Sequence, residues 1–89
     1  MNSHASAAIA ITSKDGLDPE LSAMLTMKAT QFKCSIQLQH GKQTADAKKL
    51  IEVMSLGILA SELIHIRAEG EGAQQALNEL LAVIQHYKV

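Results

Sequence analysis

Polar and apolar positions alternate with a period of two in four stretches of the chain and recur at helical spacing in between. From Ala8, Ile9 and Ile11 fall on one side and Ala8, Ala10 and Thr12 on the other, which predicts a half-buried strand. Cys34, Ile36 and Leu38 alternate with Ser35, Gln37 and Gln39 in a second strand. Gln43 to Ala47 forms a third, with Ala45 and Ala47 inward, and His40-Gly41-Lys42 between them reads as the reversal of a hairpin. Glu62 to Ala68 is the fourth strand, with Ile64, Ile66 and Ala68 on one face and Leu63, His65 and Arg67 on the other. The stretch 1–7 is small and polar and is expected to be loose.

The helical periods are as plain. Leu21, Leu25, Ala29 and Phe32 share one stripe, which predicts a helix from Pro19 to about Gln31. Ala73, Ala76, Leu77, Leu80, Leu81 and Ile84 make a stronger stripe in a last helix running to about Tyr87. Lys48 to Met54 is a short helical segment, closed by Ser55-Leu56-Gly57 with Gly57 as a left-handed cap. The order is βαββαβα. Four strands with one apolar face and two long helices with matching stripes predict a two-layer α+β sandwich, a single domain over 1–89.

Composition narrows the function. Aromatic residues are 2% of the chain, Phe32 and Tyr87 alone, so the core is aliphatic and Ala-rich. With a net charge of −1 there is no basic footprint, and few rings exist to stack on bases; nucleic acid is not an expected partner. No apolar run reaches the length of a bilayer span, so membrane insertion is not expected. The lone Cys34 cannot form an internal disulfide, and it alternates with Ile36 and Leu38 as a small buried hydrophobe would. These features fit a cytoplasmic protein.

The most informative local signal is Gly16-Leu17-Asp18-Pro19-Glu20. An Asp N-cap accepts from free backbone N–H groups, Pro suits the first helical position, and an acid in the first turn favours the helix dipole. A short loop feeding a helix N-terminus is also a ready anion site. Here the pattern predicts that the protein's own carboxylate fills it. Asp15, Asp18 and Glu20 are read as solvated acids rather than a metal site, and no cofactor is expected. His4, His40, His65 and His86 share no metal-ligand spacing, and no carboxylate is evidently placed to orient one.

Taken in order, Gly16-Leu17, Ala47-Lys48-Lys49-Leu50, Val53-Met54-Ser55-Leu56-Gly57-Ile58 and Ile64-His65-Ile66-Arg67-Ala68-Glu69-Gly70 resemble the histidine-containing phosphocarrier protein (HPr) family of the bacterial phosphoenolpyruvate-dependent sugar phosphotransferase system. The resemblance spans Ala8 to Val89 and implies an open-faced sandwich, a four-stranded antiparallel sheet covered on one face by helices. It also implies a His after the Gly-Leu pair that takes phosphate from enzyme I and passes it to an enzyme II component. An Arg two residues later and the amides of the helix start hold that phosphate. At those positions this chain has Asp18 and Glu20, and Leu21 where the family has Pro. The regulatory Ser of some members corresponds to Lys49.

That departure is chemical. Neutral imidazole is nucleophilic near pH 7 and its phosphoramidate is readily transferred; a carboxylate offers neither property in the same way. Two unit charges about 4 Å apart interact by roughly 4 kcal/mol at an effective dielectric near 20, so exchanging Arg for Glu reverses a large term. The resemblance further implies that the exposed apolar residues of the short helix dock enzyme I and enzyme II components. Leu50, Ile51 and Met54 are the candidates, Ile51 and Met54 as the exposed pair, with Lys48 and Lys49 as rim and Met24 and Met27 as extension. The expected protein is a monomeric docking or regulatory module without the phospho-acceptor. An active carrier using Asp18 or a remote His, and a scaffold recruited outside sugar transport, stand as the alternatives.

Overall fold

A computed structural model describes residues 3–87. The elements are β1 (His4–Ala10), α1 (Pro19–Ala29), β2 (Ser35–His40), β3 (Gln43–Asp46), α2 (Leu50–Met54), β4 (Leu63–Glu69) and α3 (Ala73–His86). The strands form one antiparallel sheet in the order β1-β4-β2-β3. The last strand in sequence thus lies in the middle. It is flanked by β1 and β2, which α1 connects.

The inner face carries Ile36, Leu38, Ala45, Ile64, Ile66 and Ala68, all buried. It is covered by Leu21, Leu25 and Ala29 of α1 and by Ala76, Leu77, Leu80 and Ile84 of α3. Small residues on β1 and β3 let the helices approach closely, which is how a chain with so few aromatic residues closes its core. The outer face is bare and polar. One row across all four strands reads Ser6, Arg67, Gln37 and Asp46, and the next reads Ala8, His65, Gln39 and Thr44.

The element order and the one-sided cover agree with expectation. β1, however, starts at His4 rather than Ala8. His4 to Ala7 pair with Glu69 to Ile66, and Ala5 is buried, so ladder hydrogen bonds order a stretch whose side chains give no signal. The first two positions of the expected loose segment lie outside the described residues. Helix α1 ends earlier than Gln31: Thr30 caps it, its hydroxyl donating to the Met27 carbonyl at 2.8 Å. Among the described residues no helix is long and apolar enough to cross a membrane.

Candidate functional site

The loop from Ser13 to Asp18 sets the start of α1. Gly16 has φ +67°, and a side chain there would bring a Cβ within 2.4 Å of the Ile58 carbonyl oxygen, so only glycine fits. The buried Ser13 hydroxyl donates to the Gly16 carbonyl at 2.6 Å, and the Leu17 amide donates to Ile58 O at 2.9 Å. These contacts pin the loop against the segment that follows α2.

Asp18 is the N-cap of α1, with extended backbone, and its Oδ1 accepts from the Leu21 amide at 2.8 Å. The amides around it are almost all engaged. Those of Leu17, Asp18 and Ser22 bond to the carbonyls of Ile58, Gly16 and Asp18, and Pro19 has no N–H. Only the Glu20 amide has no partner among the described residues. The anion site that the motif suggested is therefore filled by Asp18, as expected.

A second occupant has no counterpart in the sequence motif. The Tyr87 hydroxyl, at the end of α3, reaches Asp18 Oδ1 and Oδ2 at 3.1 and 3.0 Å and stands 3.4 Å from Glu20 Oε1. Partial burial, the hydrogen bond to Asp18 and the charges of Asp18 and Glu20 together push this phenol up to about 12. The proton stays on the phenolic oxygen, which shares it between the two oxygens of Asp18. Tyr87 thus ties the end of the chain's last helix to the start of its first.

Beside this start lies an apolar face. Helix α1 packs against α2, and Met24, Met27, Leu50, Ile51 and Met54 are exposed while Val53 is buried. Leu50 joins the expected pair of Ile51 and Met54 because the five-residue helix turns only Val53 inward. Leu59, also exposed, extends the face along the loop against which Gly16 packs. The expected cationic rim is altered: Lys48 Nζ donates to the Phe32 carbonyl at 2.7 Å and ties the end of α1 to the approach to α2. Lys49 remains exposed, 3.8 Å from Glu52.

The histidines do not join the site, and His40 is not a free hairpin-tip residue. Its Nδ1 lies 3.1 Å from Leu56 O and its Nε2 3.2 Å from Glu62 Oε1, so a carboxylate does orient it. Neither Tyr87 nor Glu62 was legible from local sequence, because each acts across a long separation. Leu59 was visible only as an apolar residue in a loop.

The geometry, a helix start beside an apolar face on an open-faced sandwich, agrees with the comparisons. The family model described as "PTS HPr component phosphorylation site" matches residues 5–86. The chain belongs to the HPr family. The phosphocarrier protein HPr of Haemophilus influenzae is 30% identical over 76 residues, covering 85% of this chain and 89% of the relative. The crystal structure of a phosphocarrier protein HPr from Bacillus anthracis superposes with a TM-score of 0.87 at 29% identity, covering 93% of this chain and 99% of that one. The HPr-like protein Crh of Bacillus subtilis is 29% identical over 81% of the chain and 85% of its own length. A crystal structure of Crh, TM-score 0.75, is described as a swapped dimer. An HPr-family, phosphocarrier-like role in the phosphotransferase system follows, with protein partners drawn from that system.

Proposed function

We propose that this HPr-family chain is a non-covalent docking or regulatory module of the phosphotransferase system that does not carry phosphate at the family site. Asp18 and Glu20 stand where the family has its His and Arg, and Lys49 stands at the regulatory Ser position. The observation that carries the reading is the occupation of Asp18. Oδ1 accepts from the Leu21 amide and both oxygens share the Tyr87 hydroxyl, so attack by either on a phosphoryl group would sacrifice the cap or the Tyr87 contact. No cation lies within ion-pair distance of Asp18 or Glu20 among the described residues to offset an arriving phosphoryl group.

The docking surface of the reading comprises Met24, Met27, Leu50, Ile51 and Met54, with Lys48 and Lys49 beside them and Asp18 and Glu20 at one end. Exposed Met and Ile side chains adapt to a partner without large cost, which suits transient contact with enzyme I or enzyme II components. One copy of the chain is taken as the docking unit, and light scattering after size exclusion distinguishes this from a Crh-like dimer.

The test is incubation with phosphoenolpyruvate and enzyme I, read by intact mass. An unchanged mass is expected, whereas stoichiometric gain of a phosphoryl group at Asp18 or any His overturns the reading. In the same assay the double variant Asp18→His, Glu20→Arg is expected to gain partial, acid-labile phosphorylation.

A further inference from the structure

We propose that the free edge of β1 pairs antiparallel with the same edge of a second copy of this chain, joining the two sheets into one. The sheet has two outer strands, and they are finished differently. At β3 the edge is short and occupied: the Asp46 amide, which points away from β2, donates to Glu52 Oε1 at 2.9 Å, and α2 packs alongside. β1 is seven residues long, and every second residue is turned away from its neighbour. In any antiparallel pair, residues bonded to the partner strand alternate with residues that are not. The Gly70 amide donates to Ser3 O and the Ile11 amide to Glu62 O, at the two ends of the β1–β4 register, so the odd-numbered residues bond to β4. The N–H and C=O groups of His4, Ser6, Ala8 and Ala10 therefore point outward, and no partner for them lies among the described residues. Charge and proline are the usual guards of such an edge, and His4–Ala10 contains no Pro, Asp, Glu, Lys or Arg.

The occupant follows from self-complementarity. A two-fold axis through Ala7 sets Ser6 opposite Ala8 of the second copy, His4 opposite Ala10 and Ala5 opposite Ile9, so every outward group meets its complement and no like charges meet. The helix layer agrees. α3 rests on both β1 and β4, and α1 packs against its other flank, where Glu79 holds Lys28 at 3.4 Å. Leu81, two residues on and about 200° round the helix, lies on the flank toward the free edge, with Gln74, Asn78 and Gln85. That flank carries no charge among the described residues, in a chain that holds 8 Lys and Arg and 9 Asp and Glu. With strands about 4.8 Å apart, the axis sets the two α3 helices about 10 Å apart, the spacing at which helices pack. A contact about 24 Å long, one strand and one helix deep, buries less than the roughly 1,200 Å² of a stable complex. The pair therefore forms at high concentration and parts on dilution. The docking face on α1 and α2 lies beyond α3 and stays open in each copy, so the proposal stands independently of the docking reading.

Sedimentation equilibrium of the full chain from micromolar to millimolar concentration tests this. The mass is expected to rise from one copy toward two. In a mixed sample of labelled and unlabelled chain, the Ile9 methyls are expected to show magnetisation transfer to Ala5 of the other copy. Ala8→Pro removes an outward N–H and leaves the β4 ladder whole, and is expected to keep the chain single throughout. Leu81→Lys sets like charges across the contact between the two α3 helices and is expected to weaken pairing about tenfold, more at low salt. Circular dichroism checks that both variants fold, and Leu81→Lys decides the matter if proline disturbs β1. A chain that stays single at millimolar concentration overturns the proposal, as does a pair without the Ile9–Ala5 contact. So does a pair that survives both variants, the behaviour of a swapped dimer in which β1 lies on the partner's β4 and the outward edge goes unused.

Discussion

The first and second helices pack together with the approach to α2 near the end of α1 and the segment after α2 against the start of α1, and they begin in opposite ways. Helix α1 opens on a carboxylate that caps a backbone amide, follows it with Pro19 and Glu20, and is fastened by Tyr87 from the far end of the chain. Helix α2 opens on Lys49, which makes no side-chain cap and puts a cation at the positive end of the helix dipole. It is held instead by its surroundings: the Lys48 amide donates to Asp46 Oδ1, the Asp46 amide donates to Glu52 Oε1, and Val53 is buried. In the reading above these are also the family's two phosphate positions. The contrast teaches that a helix start can be held from within or from around it. The start of α1 is capped by its own Asp18, whereas α2 starts uncapped and leaves Leu50, Ile51 and Met54 facing solvent.

Substitutions can break the contrast from either side. The largest effect is expected from Asp18→Lys, which removes the cap, sets a cation against the helix dipole and strands the Tyr87 hydroxyl. A loss of about 2 kcal/mol in unfolding free energy is expected by urea titration. A loss no larger than that of an exposed surface substitution would mean that α1 does not depend on its cap.

Tyr87→Phe comes next and sharpens the account by removing only the fastening. Its effect is expected to be smaller than that of Asp18→Lys and to disappear in an Asp18→Ala background, the signature of a coupled pair. The pH dependence has a definite sign. Because the phenol is raised from its ordinary 10 to about 12 in the folded chain, its contribution is complete below pH 10 and fades as pH climbs through about 12. Urea midpoints of wild type and Tyr87→Phe should therefore converge at the alkaline end.

Lys49→Ser acts on the other helix and is expected to stabilise. Ser is a favoured N-cap, and removing the cation relieves the dipole, for a gain of about 0.5–1 kcal/mol. The exposed Lys49–Glu52 pair that is lost contributes little. A destabilised variant would show that Lys49 does more at this end than the structure assigns to it.

Much of this architecture is legible in the sequence because the relevant forces are local and periodic. β4 and α3 carry large aliphatic residues at strict strand and helix spacing, so burial of Ile64, Ile66, Leu77 and Leu80 follows from pattern. Asp18-Pro19-Glu20 announces a capped helix for equally local reasons. The first half of β1 is silent because Ala5, Ser6 and Ala7 are too small to show amphipathicity, and its strand is imposed by β4. Tyr87 meets Asp18 across 69 positions, and His40 meets Glu62 only once the hairpin and the loop before β4 are assembled. No short-range pattern encodes either contact. The bond of Lys48 to the Phe32 carbonyl is likewise invisible locally, because it joins residues on either side of the hairpin.

The claim on which the rest depends is that the anion site at the head of α1 is filled from within, by Asp18 held under Tyr87. The chain has one Tyr and no Trp, so alkaline absorbance titration reads this single phenol without interference. The account predicts a midpoint near 12 in the wild type, falling toward 10 in Asp18→Asn. A wild-type midpoint near 10, unmoved by that substitution, would contradict it.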